Sequence, residues 1–268
     1  MSLDLQILSA ALAPPSRLSS GSYWHGHVPF AHFIVALHRP RLIVEFGVEH
    51  GDSLFAFADA VRWNGVPGAI VACDMWKGDA HVGPQDEWVY DRVRSIAAEY
   101  SNTITLLREN TIEASRHFAD RSVDLLHIDA SHQYEAVRDD FHSMRDKLSD
   151  RAIVLFHDTA VYSEPYGVWR LWQELREQFP HIDFVHSCGL GVLWVGKEIE
   201  APVRTLFDGP DQDKVAVSRL FSALGHGISL RYDTAEQREA LARIGQLPFP
   251  PGFEADDLLR QCLARARW

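Results

Sequence analysis

Short, β-branched apolar runs alternate along this chain with longer stretches whose apolar residues recur at helical spacing. That is the pattern of βα units building a parallel sheet covered on both faces. The runs that read as strands are 41–48 (RLIVEFGV), 68–75 (GAIVACDM), 103–110 (TITLLREN), 123–130 (VDLLHIDA) and 152–159 (AIVLFHDT). Helical stretches follow them at 52–63, 85–100, 111–118, 133–148 and 168–179, the last closed by Pro180. There the alternation stops, and residues 181–196 (HIDFVHSCGLGVLWVG) read as two strands joined by a turn containing Cys188 and Gly189. Five βα units and a hairpin predict an α/β fold: an open, doubly wound, mostly parallel sheet with an antiparallel strand near its edge. In such sheets ligands bind beyond the carboxyl ends of the strands, near the point where strand order reverses. Residues 201–268 differ, with helix-like segments broken by Gly and Pro clusters, and predict a helical appendage.

Composition narrows the function. With 268 residues, 46% of them hydrophobic, the chain can bury one large core. A formal net charge of −11 leaves no general positive field for nucleic acid or an anionic membrane surface, so a small-molecule partner is expected. No apolar run is long enough to span a bilayer, and the first 20 residues lack the basic start and apolar core of a signal peptide. The three cysteines, Cys73, Cys188 and Cys262, form no CxxC pair, which suits a reducing cytoplasm better than a disulfide framework or a thiolate metal site.

Every predicted strand ends in polar residues, and those ends would face one crevice. The first runs into VEFGVEHGDS (44–53), with glycines at 47 and 51 and Glu45 just before them. Glycine there lets a ligand approach the backbone, and the next helix offers unpaired N–H groups. The GxGxxG of a dinucleotide site is absent, and a carboxylate suits a cofactor bearing an amine better than a pyrophosphate. Tight packing of the turn explains the two glycines equally well. At the second strand end, Asp74 could accept hydrogen bonds from both hydroxyls of a ribose, or be an ordinary turn aspartate.

Taken together, VEFGVEHGDS, ACDMWKGDAHVG, VDLLHIDASHQYEAVRDDF, AIVLFHDT and residues 167–196 resemble the Rossmann-like, S-adenosylmethionine (SAM) dependent methyltransferases. More narrowly they resemble a bacterial branch associated with glycosyltransferases and cell-surface polysaccharide synthesis. The resemblance covers residues 22–196 and fades beyond them. It implies a seven-stranded sheet with the last strand antiparallel. It also implies that Glu45, Gly47, Gly51 and Ser53 serve the methionine part of SAM, Asp74 its ribose, and Met75 and Trp76 its adenine. Asn110 and Thr111 would lie near the base, with a plain helix cap as the alternative at Thr111.

Methyl transfer is an in-line displacement, so an alcohol acceptor must lose its proton as the new bond forms. His132, just past the fourth strand, is the expected general base, its alternative being a cap on the helix that follows. Asp129 and Asp158 are expected beside it and, with Asp129, near the cofactor. These two acids could share a Mg²⁺ ion, since hard oxygen ligands suit it. The related enzymes that use a metal often end the fifth strand in two adjacent acids, whereas here the pair is His157 and Asp158, so a metal-free site is an equal expectation. His25, Asp79, His81 and His157 are candidates for binding the acceptor, an alcohol of a sugar or glycosylated small molecule.

The expected divisions are a helical cap and lid over residues 1–40, the SAM-binding domain over 41–197 and the appendage over 198–268, whose helices could pair two subunits. Two other functions compete: an NAD-linked sugar oxidoreductase or epimerase, and a non-catalytic SAM-binding scaffold. The first lacks both GxGxxG and a Tyr-x-x-x-Lys pair; the second is weakened by the acids and histidines at the strand ends.

Overall fold

The computed structural model describes residues 5–19, 22–79, 83–198 and 200–244, with side chains to residue 233 apart from Asp79. The chain divides into two units, residues 1–228 and 229–268, and the whole of the main sheet belongs to the first. A short helix α1 (Leu5–Ser9) and two 3-10 turns, Ala10–Leu12 and Tyr23–His27, lead into α2 (Val28–His38). Then come β1 (Leu42–Phe46), α3 (Asp52–Trp63), β2 (Ala69–Cys73), a ribbon of β3 (Gly78–Asp79) and β4 (Gly83–Pro84), α4 (Glu87–Ala97), β5 (Ile104–Leu107) and α5 (Thr111–Ala114). The chain continues through β6 (Val123–Ile128), α6 (Tyr134–Met144), β7 (Leu148–His157), α7 (Val168–Arg176), β8 (His181–Phe184), β9 (Leu190–Trp194), α8 (Ala201–Asp208) and α9 (Asp211–Ile244).

Seven strands form one sheet in the order β5-β2-β1-β6-β7-β9-β8. β1 pairs in parallel with both β2 and β6, so strand order reverses beside it. β9 runs antiparallel to β7 and to β8, which is the hairpin expected from residues 181–196. Alternation sorts the side chains of each strand between two cores. Ile43, Leu125, Ile153 and Leu155 join the cluster built with α2 and α3, while Val44, Leu126, Val154 and Phe156 join the one built with α6 and α7. With both faces covered, all six residues of β6 are buried, Asp124 and His127 among its apolar ones. α2 is apolar all round for the same reason, with ten of its eleven residues buried.

The region after β9 differs from its expectation. Gly209 and Pro210 do separate α8 from α9, but Gly225 and Gly227 do not break α9, which runs on through them. A Cβ on Gly225 would stand 2.0 Å from the carbonyl oxygen of Gly26, so glycine there permits close packing rather than ending the helix. Phe221 of α9 packs at 5.2 Å from Phe30 and 5.1 Å from Phe33 of α2, ring centre to ring centre. Among the described residues no helix is long and apolar enough to cross a membrane.

Candidate active site

A cavity of about 1010 Å³ opens at the carboxyl ends of β1, β2, β5, β6 and β7, walled on one side by Ser22–Trp24 and on another by Cys188. It gathers most residues singled out from the sequence: Gly47, Gly51, Ser53, Asp74, Met75, Asn110, Asp129, His132, His157 and Asp158 all line it.

The loop after β1 is fastened to Asp74. One carboxylate oxygen accepts the backbone N–H of Val48 at 2.8 Å and of Glu49 at 3.0 Å, and the other accepts that of Trp76 at 2.7 Å. Gly47 (φ +86) needs to be glycine for the protein's own sake, since a Cβ would lie 2.1 Å from the carbonyl oxygen of Asp129. A Cβ on Gly51 would meet the ring of Phe55 at 2.6 Å. Gly47 therefore lets β1 and β6 end side by side, with their loops forming one floor. Trp76 is buried and absent from the cavity wall, its indole donating to the carbonyl of Glu49 at 3.0 Å; Met75, 39% exposed, presents its side chain instead. Asn110 is the cap of α5, accepting the N–H of Ile112 at 3.0 Å. Thr111 is no cap: its hydroxyl donates to Asp140, whose carboxyl is pushed up to about 6 by burial, Thr111 opposing and Asp139 adding to the rise.

Glu45 stands beneath this floor, fully buried and outside the cavity wall. Its Oε1 lies 2.9 Å from Nδ1 of His127, and Nε2 of His127 lies 3.2 Å from the indole nitrogen of Trp24. An indole can only donate, so Nε2 carries the lone pair and Nδ1 the proton that Glu45 accepts. A buried chain thus runs from beneath the β1 loop to Trp24 in the cavity wall. Burial raises the Glu45 carboxyl, with the bond to His127 opposing. His127 escaped the sequence reading although its signal was visible, a polar residue inside a strand otherwise apolar from Val123 to Ile128 apart from Asp124. His25, by contrast, is buried away from the cavity with Nε2 3.9 Å from Asp52. Asp79 pairs through its backbone with Gly83 in the β3–β4 ribbon, and His81 lies outside the described residues.

Acids and histidines meet where β6 and β7 end. His132 Nε2 is 2.9 Å from Asp158 Oδ2 and 3.9 Å from Asp129 Oδ1. This side chain does not cap α6, whose cap residue is Gln133. Asp158 holds φ +61, a left-handed conformation that aspartate tolerates better than most residues. His157 Nδ1 lies 3.2 Å from Asp129 Oδ1 and 3.3 Å from Asp158 Oδ1, and its Nε2 lies 3.1 Å from the carbonyl of Ser187. Burial disfavours charge on His157, but Asp129 and then Asp158 overrule it and raise the imidazole to about 9. Reciprocally, burial pushes Asp129 up and His157 more than compensates, holding it below the usual carboxylate range. The ring of Tyr166 stands 5.0 Å from that of His132, an aromatic face at the acid end that sequence spacing could not place.

Residues 44–159 match the family model described as a methyltransferase domain. The match runs from β1 to the end of β7, so over this stretch the chain is similar to methyltransferase domains. The β1 loop and Asp74 fit the SAM that the sequence resemblance implies: the loop leaves its backbone open to the cavity, and Asp74 lines the same cavity. The chain is similar to cofactor-bound Rv0187 from MTB, with a TM-score of 0.50 at 15% identity over 72% of this chain and 88% of that one. The O-methyltransferase TomG from Streptomyces achromogenes, solved with SAM, aligns with a TM-score of 0.48 at 16% identity over 72% of this chain and 88% of that one. At 15% identity the likeness to Rv0187 is one of fold. In sequence the chain is 41% identical over 209 residues to the uncharacterized protein y4gI of Sinorhizobium fredii, covering 76% of this chain and 23% of that protein. The chain therefore spans less than a quarter of that relative's length.

Proposed function

We propose that the protein is a SAM-dependent O-methyltransferase acting on a hydroxyl of a sugar or glycosylated small molecule. The observation that carries this reading is that one cavity joins the loops after β1 and β2 to the His132–Asp158 pair. Asp74 lines the cavity, and its Oδ1, which accepts one backbone N–H, would have a lone pair left for a ribose hydroxyl, while Met75 would offer an apolar face to adenine. Gly47 and Gly51 shape the floor on which the methionine part would lie. When bound, SAM supplies an electrophilic methyl group on a sulfonium. The acceptor hydroxyl, placed between Tyr166 and the acids, gives its proton to the His132–Asp158 pair as its oxygen forms the new C–O bond. The C–S electrons stay on sulfur, leaving S-adenosylhomocysteine. The exposed Tyr23 on one wall and Tyr166 on another would supply rings of the kind that the CH patches of a sugar stack on, which favours a glycan acceptor.

Residues 1–40 would form the cap that carries Trp24, 41–197 the catalytic domain and 198–268 an appendage through which two copies could pair, all in the cytoplasm.

Calorimetric titration with SAM and separately with NAD tests the cofactor: SAM binding without NAD binding is expected, and binding of NAD alone would transfer the fold to the oxidoreductase reading. His132→Ala is expected to keep SAM affinity within about twofold. It should lower release of S-adenosylhomocysteine on a panel of sugars and glycosides by about 100-fold or more, the usual worth of a general base. Loss of SAM affinity in that variant would overturn the division of roles.

A further inference from the structure

The geometry points to His157 as a built-in cation seated between Asp129 and Asp158, in the place of the divalent ion that the family resemblance allows. It makes the site independent of added metal. Donors and acceptors decide the charge of the ring. Nδ1 faces a carboxylate oxygen of Asp129 at 3.2 Å and one of Asp158 at 3.3 Å, while Nε2 faces the carbonyl oxygen of Ser187 at 3.1 Å. A carbonyl oxygen can only accept, and so can an ionised carboxylate. Neutral imidazole has one N–H and would aim the lone pair of its other nitrogen at an oxygen. Only the ring with both nitrogens protonated satisfies these contacts.

The surroundings agree that His157 is the cation of the cluster. The neighbouring His27 ring, 5.4 Å away centre to centre, is driven well towards its neutral form by burial and by His157 itself. His186 packs 4.7 Å from His27 and places its Nε2 3.1 Å from the carbonyl of Gly26. Asp158 has its remaining oxygen paired with His132 at 2.9 Å, so both of its oxygens are committed to imidazole nitrogens.

Asp129, His132 and Asp158 can each bring one ligand atom within 4.8 Å of the others, so size alone would admit an ion. Such an ion would have to take oxygens at which the N–H of His157 is already aimed, beside a like charge. Magnesium demands near-octahedral oxygen coordination, which two committed carboxylates and an imidazole do not supply. The imidazolium offsets one of the two carboxylate charges, where a divalent ion would offset both, and it cannot coordinate the acceptor oxygen. Deprotonation of the acceptor therefore falls on His132 and Asp158. Where two adjacent acids end the fifth strand, the position of His157 would instead be a further anionic ligand.

The cluster is the one proposed as catalytic, so its role rests on that reading, but the test of its charge does not require turnover. Manganese binding, read by electron paramagnetic resonance on the full chain, should be weaker than about 1 mM for the wild type. His157→Asp, which restores two adjacent acids, should gain at least about tenfold in affinity, with the bound ion removed by chelator. In ¹⁵N-histidine-labelled wild-type protein, the His157 ring should show two protonated nitrogens at neutral pH. Micromolar manganese binding by the wild type that Asp129→Asn abolishes would overturn the inference, as would a neutral His157 ring. SAM affinity is measured on the same samples, and its absence would instead remove the methyltransferase reading.

Discussion

Replacing Gly47 by alanine tests whether the two strand ends are locked together as the structure shows. The added Cβ would lie 2.1 Å from the carbonyl oxygen of Asp129, 2.4 Å from its carbon and 2.5 Å from Cα of Ala130. All three are backbone atoms, so no side-chain rotation can relieve the clash. The residue also holds φ +86, outside the regions a side chain prefers. The left-handed conformation costs roughly 1–2 kcal/mol and overpacking typically another 1–3 kcal/mol, so Gly47→Ala should destabilise the protein by about 2–5 kcal/mol. Gly65 is the control: it has φ +54 and nothing within 4 Å of its Cβ position, so Gly65→Ala should cost only the conformational part, about 1–2 kcal/mol. Urea unfolding followed by circular dichroism, with unchanged m-values, measures both. Because the atoms struck belong to Asp129 and Ala130, the Gly47 variant should also weaken SAM binding, whereas the Gly65 variant should not. A Gly47→Ala protein as stable as Gly65→Ala would refute the close apposition of the β1 and β6 ends.

Asp124, fully buried, accepts bonds from the backbone N–H and guanidinium of Arg41 and from the hydroxyl of Ser149. Burial alone would raise it, but these bonds prevail and hold it well below the usual carboxylate range. A depressed carboxyl stabilises above its unfolded pKa and loses that contribution as pH falls through the folded value. Asp124→Asn should therefore cost about 1.5–3 kcal/mol at neutral pH and progressively less below about pH 4, read from urea midpoints across that range. Asp140 works in the opposite sense: with its folded pKa raised to about 6, stability falls as pH rises from its unfolded value to about 6. The difference in unfolding midpoint between Asp140→Asn and wild type should accordingly shift in favour of the variant between pH 4 and pH 7, and a constant difference would refute the assignment. Gly227, inside α9 with nothing near its Cβ position, should gain about 0.5–1 kcal/mol on substitution by alanine, measured as a raised melting temperature.

The periodicity of the chain determined the order of strands and helices from 41 to 196, and the helix at 52–63 matches α3 at both ends. It could do so because strands buried on both faces are mostly apolar, while most polar groups fall in the turns between them. The same logic puts Asp74, Asp129, His132 and Asp158 at or just past strand ends. Which partner each would take lay beyond it. His157 and Asp129 are 28 positions apart, and whether the imidazole faces two acids or solvent depends on the pairing of β7 with β6 and on the hairpin that brings the Ser187 carbonyl over it. Glu45 reads in sequence as a ligand of the cofactor amine, and the fold turns it down towards His127 because odd and even positions of β1 face opposite sides of the sheet. Gly225 reads as a helix breaker and proves to be a contact point, since composition shows where glycine is and only the approach of Gly26 shows why. Local pattern thus determined which residues reach the ends of strands, a property of spacing along the chain. Their charge states and roles are set by neighbours distant in sequence, and only the tertiary structure decided those.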